Sequence, residues 1–157
     1  MAPQLGRVAS RYGITVMANG GFDSLTDKYN FANELADESR PTEVLHVGDH
    51  DPSGAYIFLA LAEDVTAFAE HVGGDVTFTR LAVTLEQIKR YRLPTAPPKP
   101  TDKRAFRGQT CQAEALPPDV LAEILRKAIT DRLDQRAFDR VLRQERRVRR
   151  AVLKRLR

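Results

Sequence analysis

A short apolar run, Glu43 to Val47, passes without a break into Gly48-Asp49-His50-Asp51-Pro52-Ser53-Gly54. Val44, Leu45 and Val47 supply the apolar residues of a strand. Pro52 or Ser53 then opens a helix, where proline and small polar residues are at home. That helix carries Tyr56, Leu59, Ala60, Leu61 and Ala62 and extends to about His71. Gly73-Gly74 is a turn, and Val76 to Val83 reads as another strand. Strand, acidic loop, helix and strand in this order imply a parallel sheet covered by helices.

The flanking segments extend the same pattern. Leu5, Val8, Ala9 and Tyr12 share one helical face, which Gly13 ends. Ile14 to Met17 reads as a short buried strand and Asn19-Gly20-Gly21 as a turn. Ser24 is positioned to cap a helix bearing Leu25, Tyr29, Phe31, Ala32 and Leu35, broken by Ser39-Arg40-Pro41. Thr84 is positioned to cap a short helix with Glu86 near its start. Pro94 to Pro100 holds four prolines in seven positions and reads as extended. Pro117-Pro118 marks the next helix start, and Leu121, Ile124, Leu125, Ala128 and Ile129 recur at helical spacing. A looser stripe of Phe138, Val141, Leu142, Val148, Val152 and Leu156 continues into the C-terminal residues. The expected fold is α/β, a parallel sheet flanked by helices, over 1–116. A helical region with a basic tail follows over 117–157.

Charge is unevenly distributed. Between Arg140 and Arg157 nine residues are basic and only Glu145 is acidic, whereas the remainder of the chain is net acidic. A basic block at one end is an electrostatic handle for nucleic acid, with Arg146, Arg147 and Arg150 as candidate contacts. It reads equally as a solvated helix face. A single cysteine, Cys111, excludes an intrachain disulfide and suits a reducing compartment. No apolar run approaches the ~20 residues of a membrane span, and the first ten residues lack signal-peptide order. The expected location is cytoplasmic, with no membrane partner.

Two carboxylates two residues apart, at the carboxyl end of a parallel strand, sit where α/β sheets bind ligands. Mg²⁺ is usually held by one or two carboxylates plus waters and substrate phosphates. The following helix points its N-terminus at the same spot, which favours an anion. The plainer reading makes Asp49 and Asp51 turn and N-cap residues. Of the histidines, His50 reads as a solvated loop residue, His46 as a core residue and His71 as surface.

The Val44–Gly54 segment resembles the Asp-x-Asp-Pro-x-Gly segment of Toprim domains, particularly those of the topoisomerase VI A subunit and the related meiotic double-strand-break proteins. Further pieces resemble phage and bacterial Toprim-like proteins: Arg11-Tyr12-Gly13, Gly21-Phe22-Asp23-Ser24-Leu25, Leu81-Ala82-Val83-Thr84, Tyr91-Arg92-Leu93-Pro94, Lys99-Pro100-Thr101-Asp102 and Glu114-Ala115-Leu116-Pro117-Pro118. The resemblance implies a Rossmann-like Toprim fold and Mg²⁺-assisted phosphodiester chemistry, of nuclease or topoisomerase-related type, on nucleic acid (DNA in preference to RNA). It makes Asp49 and Asp51 catalytic metal ligands and Glu114 a further acidic site residue. Glu114 also reads as an exposed cap before the prolines. Lys99, Lys103 and Arg104, with Arg107, would meet phosphate, or would be a solvated loop.

Two departures qualify the expectation. The family's first strand, with its terminal glutamate, should precede the Leu5–Tyr12 helix and is missing, as in a truncated chain. Its absence would leave a sheet edge for a second copy or a partner chain, and whether the chain is an active enzyme is left open. The strand-passing tyrosine of the topoisomerases also has no counterpart among Tyr12, Tyr29, Tyr56 and Tyr91. Two other classes remain in competition. One is a non-catalytic DNA- or RNA-binding module using the basic tail. The other is a phosphotransferase of the haloacid-dehalogenase type, in which Asp49 would be a covalent nucleophile.

Overall fold

The computed structural model describes residues 1–18, 24–36 and 40–155. The Asn19–Gly21 turn, the Gly21–Asp23 part of the Toprim-like pattern, Ser39 and the last two tail residues lie outside them. In order, the elements are α1 (Ala2–Ala9), α2 (Leu25–Ala36), β1 (Thr42–Val47), α3 (Pro52–His71), β2 (Val76–Ala82), α4 (Leu85–Tyr91), α5 (Pro118–Asp131) and α6 (Gln135–Arg155). Short 3₁₀ turns cover Ser10–Tyr12 and Ala113–Ala115.

Among the described residues the sheet is two strands, β1 and β2, paired parallel from Thr42↔Val76 to His46↔Arg80. The register slips between His46 and Val47, so Val47 pairs with Ala82 and Leu81 is left out of the ladder. The Leu81 carbonyl is not orphaned, because the Gln87 side chain donates to it at 2.8 Å. Gln87 also closes a capping box with Thr84 at the start of α4. The ladder runs one residue past both strands, through Gly48 N–H to Ala82 O and Val83 N–H to Gly48 O, each 2.8 Å.

Alternation along the strands divides the core. Val44 and Phe78 pack toward α2 and α3, with Phe31, Ala32, Leu61, Val65 and Val76. Leu45, Val47 and Leu81 pack toward the second cluster, where Leu5 and Ala9 of α1 meet Leu121, Leu125 and Ile129 of α5. The period of two that sends neighbouring side chains to opposite faces thus places helices on both sides of the sheet. Two ion pairs hold helices to this frame. Arg132 grips Glu43 with two hydrogen bonds, 2.6 and 2.8 Å, tying the end of α5 to β1. Lys28 of α2 reaches Asp64 of α3 at 2.6 Å.

The expected strand at Ile14–Met17 is not formed. Ile14 returns its N–H to Ala9 O, no described strand lies beside the segment, and Ile14 and Met17 are exposed. An apolar run of four residues becomes a strand only when a ladder partner and a face to bury are available. The α/β class and the flanking helices are as expected; among the described residues the sheet is smaller than the three strands expected. Gly13 does end the first helical segment, at φ +71°.

Candidate functional site

The acidic loop leaves β1 at Gly48 and enters α3 at Pro52. Asp51 is the N-cap of α3: its backbone is extended and its Oδ1 accepts from Gly54 N–H at 2.6 Å. Asp49 has a different partner, and its Oδ1 accepts from Ala113 N–H at 2.8 Å. Each carboxylate therefore commits one oxygen to the fold. The Oδ2 of each forms no hydrogen bond with a described residue. The capping reading of Asp51 is thus met in the structure, and it leaves half of the carboxylate for another partner.

Gly54 is required by closeness. A Cβ there would stand 2.5 Å from the Asp49 carbonyl oxygen and 3.1 Å from Asp51 Oδ1. The space the glycine leaves is filled by the loop's own backbone.

Between His50 and Cys111 two backbone hydrogen bonds, 2.8 and 2.9 Å, form an antiparallel bridge. This bridge draws His50 inward. Its ring packs against Phe106 at 5.2 Å, and its Nε2 is enclosed without a hydrogen-bond partner. The expected solvated loop histidine is therefore half-buried, because the loop is sheeted to a segment 61 positions later. His46 is a packing residue, as expected, with its ring 4.8 Å from Phe58. Burial and the nearby Arg80 charge lower its pKa to about 4. The same two causes lower that of His50, opposed by Asp51. The Cys111 thiol is pushed up by burial and by the Asp49 charge, which favours its protonated form.

Arg80 is the residue that sequence reading missed. It sits on β2 opposite His46 and sends its guanidinium beneath the loop. There it donates to the carbonyls of Gly48 (3.2 Å), Gly54 (3.3 Å) and Asp49. Its carbon lies 5.7 Å from the Phe58 ring centroid. Burial lowers its pKa, against the opposing charges of Asp51 and Asp49. The available signal was a lone cation inside an otherwise apolar and threonine-rich strand, Val76-Thr77-Phe78-Thr79-Arg80-Leu81.

The remaining candidates fall into three places. Glu114 is exposed, on the 3₁₀ turn next to Ala113, and is not brought together with Asp49 and Asp51 into a three-residue metal group. Lys99, Lys103 and Arg104 line an open depression with Ser53, Thr101 and Asp102. Arg104 donates to Ser53 Oγ and pairs with Asp102, both at 3.1 Å, and Ser53 donates to Asp102 at 3.2 Å. This network seats the Asp102–Arg104 stretch, just past the proline-rich segment, on the first turn of α3, beside the acidic loop. Arg107 is exposed in the same segment. Arg146, Arg147 and Arg150 lie along α6, fully outside, and form no hydrogen bond or ion pair with the acidic loop.

Among the described residues no group of three or more His, Cys, Asp or Glu side chains is placed to hold an ion. Asp49 and Asp51 each keep one oxygen that bonds no described residue, and these are the only atoms of the loop's carboxylates that an added cation could use without breaking a bond of the fold. No described helix is long and apolar enough to cross a membrane. The chain matches no family model, no curated protein and no solved structure.

Proposed function

We propose that this chain is a Toprim-like nucleic-acid-processing domain in which Asp49 and Asp51 hold Mg²⁺ jointly with a phosphate of the bound strand. One observation carries the reading. Both carboxylates leave the carboxyl end of β1 beside the first turn of α3, each with one oxygen that bonds no described residue. A bound Mg²⁺ would neutralise charge developing on a phosphodiester and orient an in-line displacement. Lys99, Lys103 and Arg104 border the depression next to Ser53, where a phosphate backbone would run. Glu114 is the further carboxylate of the proposal. Arg80, close beneath both aspartates, weakens their hold on a bare cation and favours a cation that arrives with an anion.

The test uses Asp49→Asn with Asp51→Asn. Asparagine keeps an acceptor oxygen for Ala113 and is as good an N-cap as aspartate, so the charge is removed and the fold's hydrogen bonds are kept. Titration calorimetry with a short DNA should show Mg²⁺ strengthening binding to the parent but not to the variant. An equal Mg²⁺ response in both would overturn the reading.

A second reading, a metal-independent DNA- or RNA-binding module, is favoured by the structural bonds that both aspartates make and by the exposed cations of α6. It expects binding that ignores Mg²⁺ and falls steeply with salt. Changing Arg146, Arg147 and Arg150 to serine would then reduce the slope of log K against log salt by about 2–3. A triple variant with the parent's affinity and slope would exclude it.

A further inference from the structure

α6 spans 21 residues, about 31 Å at 1.5 Å per residue. Among the described residues only its start is anchored. Phe138 stacks on Tyr12 with ring centroids 5.5 Å apart, and Asp134 accepts from Ala137 N–H at 3.0 Å. From Arg143 to Arg155 every residue is exposed. A helix with so little support from the body of the protein needs another partner for any apolar face it carries.

At about 100° per residue, Arg136, Arg140, Arg143, Arg147, Arg150 and Lys154 fall within an arc of about 80°. Val141, Glu145, Val148 and Val152 fall within an arc of about 60°, centred about 150° away. The three valines are 62%, 55% and 51% exposed. Intervals of four, three and four residues are those of a coiled-coil seam. A nucleic acid would use the arginine arc and leave the valine stripe uncovered. An anionic bilayer would meet the Glu145 carboxylate in the middle of the stripe and be repelled by it.

Glu145 decides among the remaining partners. It is the one acidic residue between Arg140 and Arg155, and it forms no ion pair with a described residue, Arg149 one turn later included. A parallel pair of α6 helices would set Glu145 against its own copy. An antiparallel pair sets Val141 across from Val152 and Glu145 across from Val148, with Arg149 of the second copy one residue along from that level. The seam is then complementary to itself in charge, and both arginine arcs face outward, away from each other. We infer that α6 is a homodimerisation helix, in which two copies of this chain pair antiparallel along Val141–Val152 with Glu145 of each meeting Arg149 of the other. A single polar position within an apolar seam is the known device for fixing register and orientation.

The inference is independent of any metal at the acidic loop. Sedimentation velocity on the whole chain should show a monomer–dimer equilibrium with Kd on the order of 10 µM. Glu145→Arg and Arg149→Glu, each alone, place like charges together and should weaken the dimer at least tenfold. The double variant, Glu145→Arg with Arg149→Glu, exchanges the charges and should restore it. Circular dichroism confirms that each variant keeps the helix content of the parent. A parent that stays monomeric at ten times that concentration overturns the inference, whether or not it sediments with anionic vesicles. So does a single variant that dimerises like the parent, or a double variant that fails to recover.

Discussion

Asp49 Oδ1 accepts the backbone N–H of Ala113 at 2.8 Å, although the two residues are 64 positions apart. The bond joins the loop after β1 to the turn before α5. The adjacent His50–Cys111 bridge makes the same connection. The acidic loop is therefore clamped from two sides, by the 111–113 segment above and by the Arg80 guanidinium beneath. A loop held this way is preorganised, and its carboxylates are available only through the oxygens the clamp does not use.

Asp51 separates a structural from an electrostatic role. Asp51→Ala removes the cap of a 20-residue helix and should cost about 1 kcal/mol of stability. Asp51→Asn should cost only a few tenths, because the amide oxygen still accepts from Gly54 N–H. Urea unfolding of the two variants measures the difference. Equal losses would mean that the charge, not the cap, holds the first turn of α3.

Arg80 supports three loop carbonyls, so its removal should be felt throughout the site. Arg80→Met should destabilise the fold by about 1.5–3 kcal/mol, the range for hydrogen bonds from a charged group. Arg80→Lys should recover little, because a single ammonium cannot reproduce the planar fork that reaches Gly48, Asp49 and Gly54 together. Thermal unfolding of the pair checks both statements.

Gly54→Ala drives a methyl into the Asp49 carbonyl, which lies on the fixed backbone rather than at the end of a flexible side chain. The expected cost is about 1–3 kcal/mol, the range for overpacking a tight site. Amide hydrogen exchange should show the first turn of α3 and the Ala113 N–H losing protection together. Loss at α3 alone would show that the loop and the 113 turn are not coupled.

Acidification should destabilise the protein in the window set by His46. Its folded pKa is about 4 against 6.5 for the free side chain. As pH falls through 6.5 the unfolded chain takes up a proton that the folded chain refuses, so stability drops between about pH 6.5 and 4. After discounting for its partial exposure, the loss is on the order of 1–2 kcal/mol. His50 is shifted in the same direction and adds to it. Glu43, held near 2 by Arg132 and Thr79, acts in a lower window, where stability is lost as pH falls from 4.5 toward 2. Denaturant unfolding from pH 7 to pH 4 should therefore show a smaller slope in His46→Phe than in the parent.

Several elements were legible because their causes are local. The Pro52–His71 helix follows from an aspartate cap, a proline in the first turn and sustained apolar spacing, and it occupies the expected residues. Thr84 caps α4, Ser24 caps α2, and Pro118 opens α5, each through chemistry contained within a few residues. Ile14–Met17 failed as a strand because strand formation depends on a neighbour that no local pattern supplies. His50 was misplaced for the same reason, since Cys111 is what draws it inward.

The sequence by itself determined the parallel β–α–β unit, the acidic loop at its carboxyl end and the separation of α6 into a basic arc and an apolar stripe. Helical periodicity, strand alternation and end-capping act between residues close in the chain, and they can be read from the chain. Tertiary structure alone decided what surrounds the loop: Ala113 on Asp49, Arg80 beneath the carbonyls, and Asp102 and Arg104 seated on Ser53. Those contacts depend on backbone groups and on register between distant strands, and a backbone N–H carries no mark in a sequence.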